Sequence, residues 1–353
     1  MQASIIYLYL MLLRVPDFYD SFHCIAGKCT DTCCIGWEID IDDESAKRYA
    51  KVQGEFGKRL QQNIEDGHFK LFPGDRCPFL REDGLCDMIC HLGESSLCDI
   101  CREHPRFVEV YGDIMEKGVG LCCEEAVRLL LESKGSATSP IAFVEREIDE
   151  IPDEIPDDAI EARDAIFEER EHLFKILADH SKPLNKRLVK LLDYAIETSG
   201  FEFPETRPSE INATDKISDN AHQTWIEILG KGESYGPAWD TTYKQLKENG
   251  WAKIARQDSP HPLFTDSDGE KIIAYLLFRY YEKSLFDGNS LTKVEFAIYF
   301  WVMVQKFQAT KIDAIKLLSK QTEYSEEIME LFEQEFMENP AFFPDSIKKI
   351  LME

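Results

Sequence analysis

The cysteines are the residues of this chain whose type and spacing could do chemistry. There are eleven, all between Cys24 and Cys123, and the rest of the 353 residues contain none. Disulfide scaffolds are typical of short secreted chains, whereas an odd count beside a long, acidic, cysteine-free half indicates a reducing compartment. In such a compartment, clustered cysteines predict a metal or iron–sulfur site.

The first group of cysteines has the spacing Cys24-x4-Cys29-x3-Cys33-Cys34. Short flexible loops cost little to close, so this spacing lets several thiolates surround one centre. Neighbouring side chains on an extended backbone point apart, so Cys33 and Cys34 need not serve the same ion. Cysteines this close together favour metal ligation over the alternative, which is burial as small apolar side chains.

A predicted hairpin carries the second group, Cys77 and Cys86. The dipeptide Asp83-Gly84 is typical of a two-residue turn, and with this turn Arg81 faces Cys86. Cys77 shares a face with Arg81, because strand side chains alternate with a period of two. Both thiols are therefore expected on the same side of the ribbon, as two ligands of one site require.

The pair Cys98-x2-Cys101 is typical of a metal knuckle or of a redox dithiol. A thioredoxin-like dithiol needs a strand before the pair and a helix after it. Pro105 interrupts such a helix, so the sequence favours metal. Cys123 precedes a predicted helix that starts at Glu124, where the helix dipole is expected to stabilise a thiolate. Three histidines beside cysteines could complete a mixed site, although single histidines are more often structural: His23, His91 and His104.

The sequence pattern around the cysteines predicts the elements that position these thiols, and it indicates a mostly α protein. We expect a small cysteine-rich α+β metal-binding domain (1–134), an acidic linker (135–158) and an all-α helical domain (159–353). The linker prediction depends on small residues after Ser133 and on an Asp and Glu run broken by Pro152 and Pro156. Helices near 271–277 and 296–304 are apolar nearly all round, which predicts the buried centre of the helical domain.

Local elements are also predicted in the cysteine-rich part. The alternation over 37–41 predicts a half-buried strand, and Asp42 or Asp43 is expected to cap a helix over 44–53. The dipeptide Gly112-Asp113 is expected to turn a hairpin formed by 107–111 and 114–118. In the helical half, the polar, proline-containing stretch 201–221 predicts a loop.

The charge balance narrows the class of partner. With 66 acidic and 40 basic residues the net charge is -26, which disfavours nucleic acid and anionic membrane surfaces. It permits a basic protein partner or simple solubility. The longest apolar run, Ile5 to Leu13, is too short to span a bilayer and lacks signal-peptide features, so a cytoplasmic location is expected. This run predicts an N-terminal strand or helix, or sequence upstream of a start at Met11.

The cysteines lie within longer motifs: Phe22-x-Cys24, Lys28-Cys29-x-Asp31-Thr32-Cys33-Cys34-x-Gly36-Trp37, Cys77-Pro78-Phe79-Leu80, Gly84-Leu85-Cys86, Leu92-Gly93, Cys101-Arg102-x-x-Pro105-Arg106 and Cys123-x-x-Ala126-x-Arg128. With these motifs the sequence resembles the bacterial FliB family, whose members are described as flagellin lysine-N-methylases. The resemblance covers residues 16–132 and continues more weakly over 276–281 and 319–332. The sequence contains neither the glycine-rich turn of nucleotide-binding methyltransferases nor the Cys-x3-Cys-x2-Cys run of radical adenosylmethionine enzymes.

The resemblance implies transfer of a methyl group from S-adenosylmethionine to a lysine ε-amine of flagellin or another lysine-bearing protein. It also implies an iron–sulfur cluster, for which we expect the 4Fe–4S type. Cys90, Cys98 and Cys122 are extra to the family pattern. Eight cysteines match it and would serve two four-ligand sites or one larger assembly: Cys24, Cys29, Cys33, Cys34, Cys77, Cys86, Cys101 and Cys123.

Arg102 and Arg106 follow a predicted ligand directly. Arginine binds carboxylates through two hydrogen bonds, so one of them is predicted to bind the carboxylate of S-adenosylmethionine or to neutralise cluster charge. The alternative is a surface salt bridge. Part of the acidic surplus is expected to line a groove between the two domains, with Asp40, Asp42 and Asp43 as candidates.

Two other classes of function stay open from the sequence. One is a non-catalytic, cysteine-rich protein that binds structural zinc or iron. The other is a redox dithiol protein that uses Cys98 and Cys101. No carboxylate or other side chain is marked by the sequence as the base that would deprotonate a lysine amine.

Overall fold

The computed structural model describes residues 11–36, 38–149, 157–200, 219–254 and 264–353. Most of these residues are helical, and a small sheet lies in the N-terminal part. The strands are β1 (Met11–Pro16), β2 (Ile64–Glu65), β3 (His68–Phe69), β4 (Arg106–Tyr111), β5 (Ile114–Val119) and β6 (Phe143–Ile148). The helices are α1 (Asp43–Tyr49), α2 (Gly54–Gln62), α3 (Asp87–Leu92), α4 (Asp99–Glu103), α5 (Glu124–Glu132), α6 (Asp157–Leu177), α7 (Leu184–Ser199), α8 (Asp219–Glu227), α9 (Pro237–Ile254), α10 (Asp266–Tyr280), α11 (Ser284–Asp287), α12 (Ser290–Val304), α13 (Lys311–Glu323), α14 (Glu326–Glu338) and α15 (Pro344–Met352).

Four strands form the main sheet in the order β4-β5-β1-β6. The β4–β5 hairpin turns at Gly112, whose φ of 70° favours glycine, and this confirms the predicted hairpin. β1 pairs with β5 in parallel and with β6 in antiparallel register. The loops that carry most of the cysteines therefore lie inside the connection between two adjacent parallel strands. Residues 1–10 of the predicted N-terminal element lie outside the described residues.

The stretch 143–148, which the sequence assigned to an acidic linker, forms strand β6. The four residues 144–147 are all exposed and only Phe143 and Ile148 at its ends pack against apolar cores, while its backbone pairs with β1 from Met11 to Pro16. An edge strand needs only one apolar face, and its charged residues protect the open edge. The division of the chain into domains stays a prediction.

The helical half packs around α10 and α12, as the apolar pattern predicts. Every residue of α12 is buried. Thr265 and Asp268 form a reciprocal cap at the start of α10. The same core continues into the N-terminal part through Phe18, Leu121 and Val127, so sheet and helices share one apolar interior. A second, smaller core lies beneath the cysteine loops and includes Ile39 and Tyr49.

Two local predictions in the cysteine-rich part need correction. The stretch 38–42 is extended with one isolated bridge between Asp40 and His68 and is not a regular strand, although Ile39 and Ile41 are buried as predicted. Trp37 lies outside the described residues. The predicted helix 44–53 is shorter than expected, because α1 ends at Tyr49 and a separate helix, α2, begins at Gly54, whose φ is 82°. Asp42 caps α1 by accepting a 2.8 Å hydrogen bond from the Ser45 amide.

Helix α6 is joined to the sheet by a buried arginine. The guanidinium of Arg170 donates hydrogen bonds of 2.6 and 2.8 Å to Glu116 on β5 and one of 3.1 Å to the Phe278 carbonyl. It also pairs with Glu282, and the side chains of all three charged residues are at most 2% exposed. None of the described helices is both long and apolar enough to cross a lipid bilayer. The predicted loop 201–221 lies outside the described residues up to position 218.

A candidate thiol-lined site

One cavity of about 260 Å³ gathers the cysteines of four separate loops. Cys90 and Cys98 do not line it, which agrees with their being extra to the family pattern. Cys122, the third extra cysteine, does. The eight cysteines named from the sequence all line this cavity: Cys24, Cys29, Cys33, Cys34, Cys77, Cys86, Cys101 and Cys123. The structure thus brings these eight side chains together, and their ligation of a metal stays a prediction.

The first loop places its cysteines along one wall of the cavity. Burial raises the pKa of the Cys29 thiol to about 11, with Glu124 and Cys123 as negative neighbours. The adjacent thiols of Cys33 and Cys34 are hydrogen-bonded to each other, and this bond raises the pKa of Cys33 further than its burial does. The two side chains therefore do not point apart as an extended backbone would have them. The Cys77 amide donates a 2.9 Å hydrogen bond to the Cys34 carbonyl and ties this loop to the next.

The predicted turn between Cys77 and Cys86 has a different register. Leu80, and not Arg81, faces Cys86, and the Arg81 amide donates a 2.9 Å hydrogen bond to the Leu85 carbonyl. The turn is one residue longer than expected, because Gly84 takes a left-handed φ of 78° while the Asp83 carboxylate accepts the Leu85 amide. A further turn at 77–80 brings Cys77 back, so both thiols still reach the same cavity.

The Cys98 and Cys101 pair does not have the surroundings of a thioredoxin-like dithiol. A 3-10 turn, and not a strand, precedes it, and the helix α4, which begins at Asp99 and contains Cys101, has only five residues and ends before Pro105. Cys98 immediately precedes α4 and is buried against Tyr49; it does not itself line the cavity, although its neighbours Tyr49 and Cys101 do. A hydrogen bond from the Cys101 thiol, with help from Tyr49, lowers the pKa of Cys98 to about 7.

Cys123 caps the amino end of α5, as predicted, but its thiol is not stabilised as a thiolate. Burial raises its pKa to about 11 and outweighs the opposing hydrogen bonds from the Glu125 and Ala126 amides. In a buried site, desolvation of the charged form exceeds what one helix end supplies. Cys122 is buried on the other side, beside the Tyr324 hydroxyl.

Among the described residues, no three cysteine sulfurs lie within 4.8 Å of one another. Four thiolates around one zinc ion, at bonds of about 2.3 Å, would lie only ~3.8 Å apart. The thiols thus surround a space and do not close on a point. The described group that does meet the spacing is Glu38, Asp40 and His68, which lies on the surface away from the cysteines.

Helix α13 supplies positive charge to the thiol cavity. Lys316 and Lys320 line it, and their side chains are 5% and 10% exposed. Lys320 pairs with Asp31 at 2.5 Å, and Lys316 lies within 4 Å of both Asp31 and Glu124. Buried cations favour the anionic state of neighbouring groups, so they suit a site built from thiolates.

A second cavity, of about 200 Å³, adjoins the first and shares His104, Arg106, Cys122 and Tyr324 with it. Burial lowers the pKa of His104 to about 4, and the positive charges of Lys320 and Arg279 act in the same direction. The imidazole is therefore neutral at physiological pH.

The far wall of the second cavity comes from the helical half. Arg279 on α10 donates a 2.6 Å hydrogen bond to Glu323 on α13, and Ser319 lies one turn away from Glu323. Sequence reasoning missed these residues. The available signal was a polar stripe at helical spacing in α13, on a face that the structure buries: Lys316, Ser319, Lys320 and Glu323.

The two predicted arginines lie at the rim of the thiol cavity. Arg102 is 45% exposed and pairs with Asp99 at 2.7 Å and Glu103 at 3.1 Å. Arg106 packs its guanidinium over the Phe22 ring at 5.0 Å and lines both cavities. Arg102 is thus paired with surface carboxylates, whereas Arg106 lies toward the interior.

The junction between the cysteine loops and the helices is not the acidic groove that the sequence predicted. Asp42 is used as a helix cap, and Asp40 faces His68 on the surface. The described carboxylates that do lie at this junction, Asp31, Glu124 and Glu323, are paired with lysine or arginine. Buried carboxylates need such partners, so the junction is charge-balanced.

The chain is similar to proteins from Salmonella. Two lysine-N-methylases, from Salmonella typhimurium and Salmonella choleraesuis, are each 28% identical over 148 residues, which are 39% of this chain and 37% of theirs. A flagellar biosynthetic protein, FliU of Salmonella muenchen, is 29% identical over 126 residues, which are 33% of this chain and 75% of that protein. The match spans under half the length of the lysine-N-methylases. No family model and no solved structure matches. These relatives support the resemblance to the FliB family.

Proposed function

We propose that the chain is a protein-lysine N-methyltransferase that uses S-adenosylmethionine, acts on flagellin and carries an iron–sulfur centre. The observation that carries the proposal is the gathering of all eight family-matching cysteines on one cavity. The names of the similar proteins, lysine-N-methylase and flagellar biosynthetic protein, support the reaction and the substrate.

The donor set fits an iron–sulfur cluster. Thiolates are the ligands of such clusters, and here the thiols surround a space with buried lysines on one side. Cys34 and Cys77 are both electrostatic neighbours of Cys101, and Cys86 is a neighbour of Cys77. We propose that these four hold a 4Fe–4S cluster. Cys24 and Cys29 are neighbours of Cys123 and would form a second group with it, whereas Cys33 is hydrogen-bonded to Cys34 and is a neighbour of Cys86. A bound cluster supplies a one-electron centre and fixes the loops that hold it.

Methyl transfer sets a demand that the wall shared by the two cavities, at His104, would meet. The lone pair of the lysine nitrogen forms the new bond to the methyl carbon while the carbon–sulfur bond of the sulfonium breaks, and the amine then releases a proton. The amine must therefore be neutral before it attacks. Lys320 and Arg279 already lower the pKa of His104, and the same positive charges would favour a neutral substrate lysine. The neutral His104 imidazole could accept a hydrogen bond from it.

Anaerobic purification of the full chain, followed by a methyl-transfer assay, tests the proposal. We expect a brown protein with broad absorbance at about 400 nm and bound iron and sulfide. Incubation with isotopically labelled S-adenosylmethionine and purified flagellin should label flagellin lysines, and flagellin with acetylated lysines is the control. A colourless protein with stoichiometric zinc and no transfer would contradict the proposal and favour a non-catalytic zinc-binding protein.

A further inference from the structure

We infer that the cavity between Arg279 and Tyr324 binds the amino-acid end of S-adenosylmethionine, with its α-ammonium and α-carboxylate groups. The inference builds on the proposed function, because it names the place where that methyl donor is held. It starts from two buried polar groups on helix α13 that no described side chain satisfies.

Glu323 has one oxygen occupied and one available. Its Oε2 accepts hydrogen bonds from Arg279 at 2.6 Å and from the Tyr280 hydroxyl at 2.8 Å. Its Oε1 has no hydrogen-bond partner among the described residues, although the side chain is only 1% exposed. A buried carboxylate oxygen without a donor is unfavourable, so this atom is suited to receive an ammonium group from a ligand.

Ser319 lies one turn before Glu323 on the same wall. The residue is fully buried, and its Oγ also lacks a hydrogen-bond partner among the described residues. A serine inside a helix can satisfy its hydroxyl by bonding to a carbonyl of the preceding turn. A hydroxyl that does not do so and lines a cavity can donate to a ligand carboxylate or accept from its ammonium.

Arg279 completes the set with a positive charge. Its guanidinium is fixed by the Phe107 ring at 4.8 Å and the Tyr280 ring at 5.1 Å. Within the described residues only its Nη1 is bonded to a carboxylate, so other hydrogens of the planar fork remain for a second one. A fixed arginine of this kind is the side chain that proteins use to bind a carboxylate in two-point fashion.

The charge of the cavity selects a zwitterion. Charges of both signs line it, with Arg106 and Arg279 as cations and Glu323 as the anion, and an α-amino-acid group also carries one charge of each sign. A phosphate would meet the Glu323 carboxylate, and a lysine side chain alone would leave Arg279 without a second anion. An amino-acid group pairs with both.

The size of the cavity fits only one end of the cofactor. Pockets for whole small molecules hold about 300–1,000 Å³, whereas this cavity is about 200 Å³. It opens along His104 and Tyr324 into the larger thiol cavity. The remainder of the cofactor would extend along these shared walls.

Calorimetric binding to the anaerobically purified full chain tests the inference without turnover. The probes are S-adenosylhomocysteine, methionine, adenosine and a lysine-containing flagellin peptide. We expect Glu323→Gln to weaken the binding of S-adenosylhomocysteine by at least tenfold and Ser319→Ala to weaken it by about threefold. Neither variant should change the affinity for adenosine. Ser319→Ala removes no protein hydrogen bond, so it should fold like the wild type even where Glu323→Gln does not. Glu326→Gln, on an exposed neighbour, is the matched control.

The outcomes separate this inference from the proposed function. If the wild type binds S-adenosylhomocysteine and both variants bind it equally well, the cofactor is held elsewhere and the inference is overturned alone. If the variants instead lose binding of the lysine peptide and keep binding of S-adenosylhomocysteine, the cavity receives the substrate and the inference is again overturned. No binding of S-adenosylhomocysteine by the wild type overturns the proposed function as well.

Discussion

Lys320 and Asp31 lie 289 residues apart in the sequence, and the lysine Nζ is 2.5 Å from the carboxylate Oδ2. This contact docks helix α13 on the loop between Cys29 and Cys33. The thiol cavity is therefore shaped by segments far apart in the sequence, and the cysteine loops do not form it alone.

Breaking the contact should loosen the loop. Lys320→Met leaves Asp31 without its nearest cation, and we expect a loss of up to roughly 3 kcal/mol of unfolding free energy, because one partner of a mostly buried pair is removed. Iron retained after anaerobic gel filtration should fall as well. Lys58→Met, in an exposed pair with Glu55, is the control and should change stability by less than about 1 kcal/mol. Equal iron content in both variants would contradict the prediction.

The cysteines should divide into two classes by substitution. Cys34→Ser removes a thiol from the cavity wall, so the absorbance at about 400 nm and the bound iron should fall at least severalfold. Cys90→Ser changes an exposed thiol that does not line the cavity and should leave both measurements at the wild-type value. A Cys90 variant that loses iron to the same extent would show that the cavity does not define the ligand set.

Arg170 should be the most sensitive charged residue of the sheet–helix junction. Arg170→Ala leaves Glu116 and Glu282 buried without a counter-charge, which is expected to cost about 3–5 kcal/mol in chemical denaturation. Arg146→Ala removes an arginine of β6 that pairs with the exposed Asp20, and should cost no more than about 1 kcal/mol. Similar losses in the two variants would refute a special role for the buried arginine.

Glu295 should make stability depend on pH. Both of its oxygens are buried without a hydrogen-bond partner among the described residues, and burial raises its pKa well above the usual value. Above the unfolded-state pKa of about 4.3, the folded state keeps a proton that the unfolded state has lost, so the free energy of unfolding falls by up to about 1.4 kcal/mol per pH unit. That fall continues until the pH reaches the raised pKa of the folded state.

Glu295→Gln should remove this pH dependence. Its stability relative to the wild type is expected to increase between pH 5 and pH 8, measured by urea unfolding at each pH. Glu330→Gln, on an exposed face of α14, should give a constant difference. A difference that is also constant for Glu295→Gln would mean that this carboxyl group is ionised in the folded protein.

The sequence predicts the parts of this fold that depend on local pattern. The apolar helices α10 and α12, the hairpin at Gly112 and the cap at Asp42 follow from periodicity and turn chemistry. The register at Cys86 does not, because a two-residue turn and a turn with a left-handed Gly84 share the same dipeptide signal.

The candidate site was predictable only where like residues cluster in sequence. The cysteines signalled their common cavity by number and spacing. Glu323 belongs to a polar stripe on α13, but its pairing with Arg279 gave no signal, because that pairing depends on how α10 packs against α13. Strand β6 was not predicted for a similar reason. Its charged side chains are those of an exposed segment, and its partner β1 is distant in sequence, since Met11 pairs with Ile148 and Pro16 with Phe143.

The position of α13, far after the last cysteine in the sequence, has a consequence for biosynthesis. The ribosome completes the last cysteine, Cys123, roughly 190 residues before it reaches Lys316 and Lys320, which at 5–20 residues per second is a delay of ~10–40 s. During that interval the thiols are made but the helix that covers them does not yet exist. We expect iron and sulfide donors to reach the nascent loops most easily in this period. The thiols would then be more accessible for cluster assembly than they are after α13 has packed against the loops.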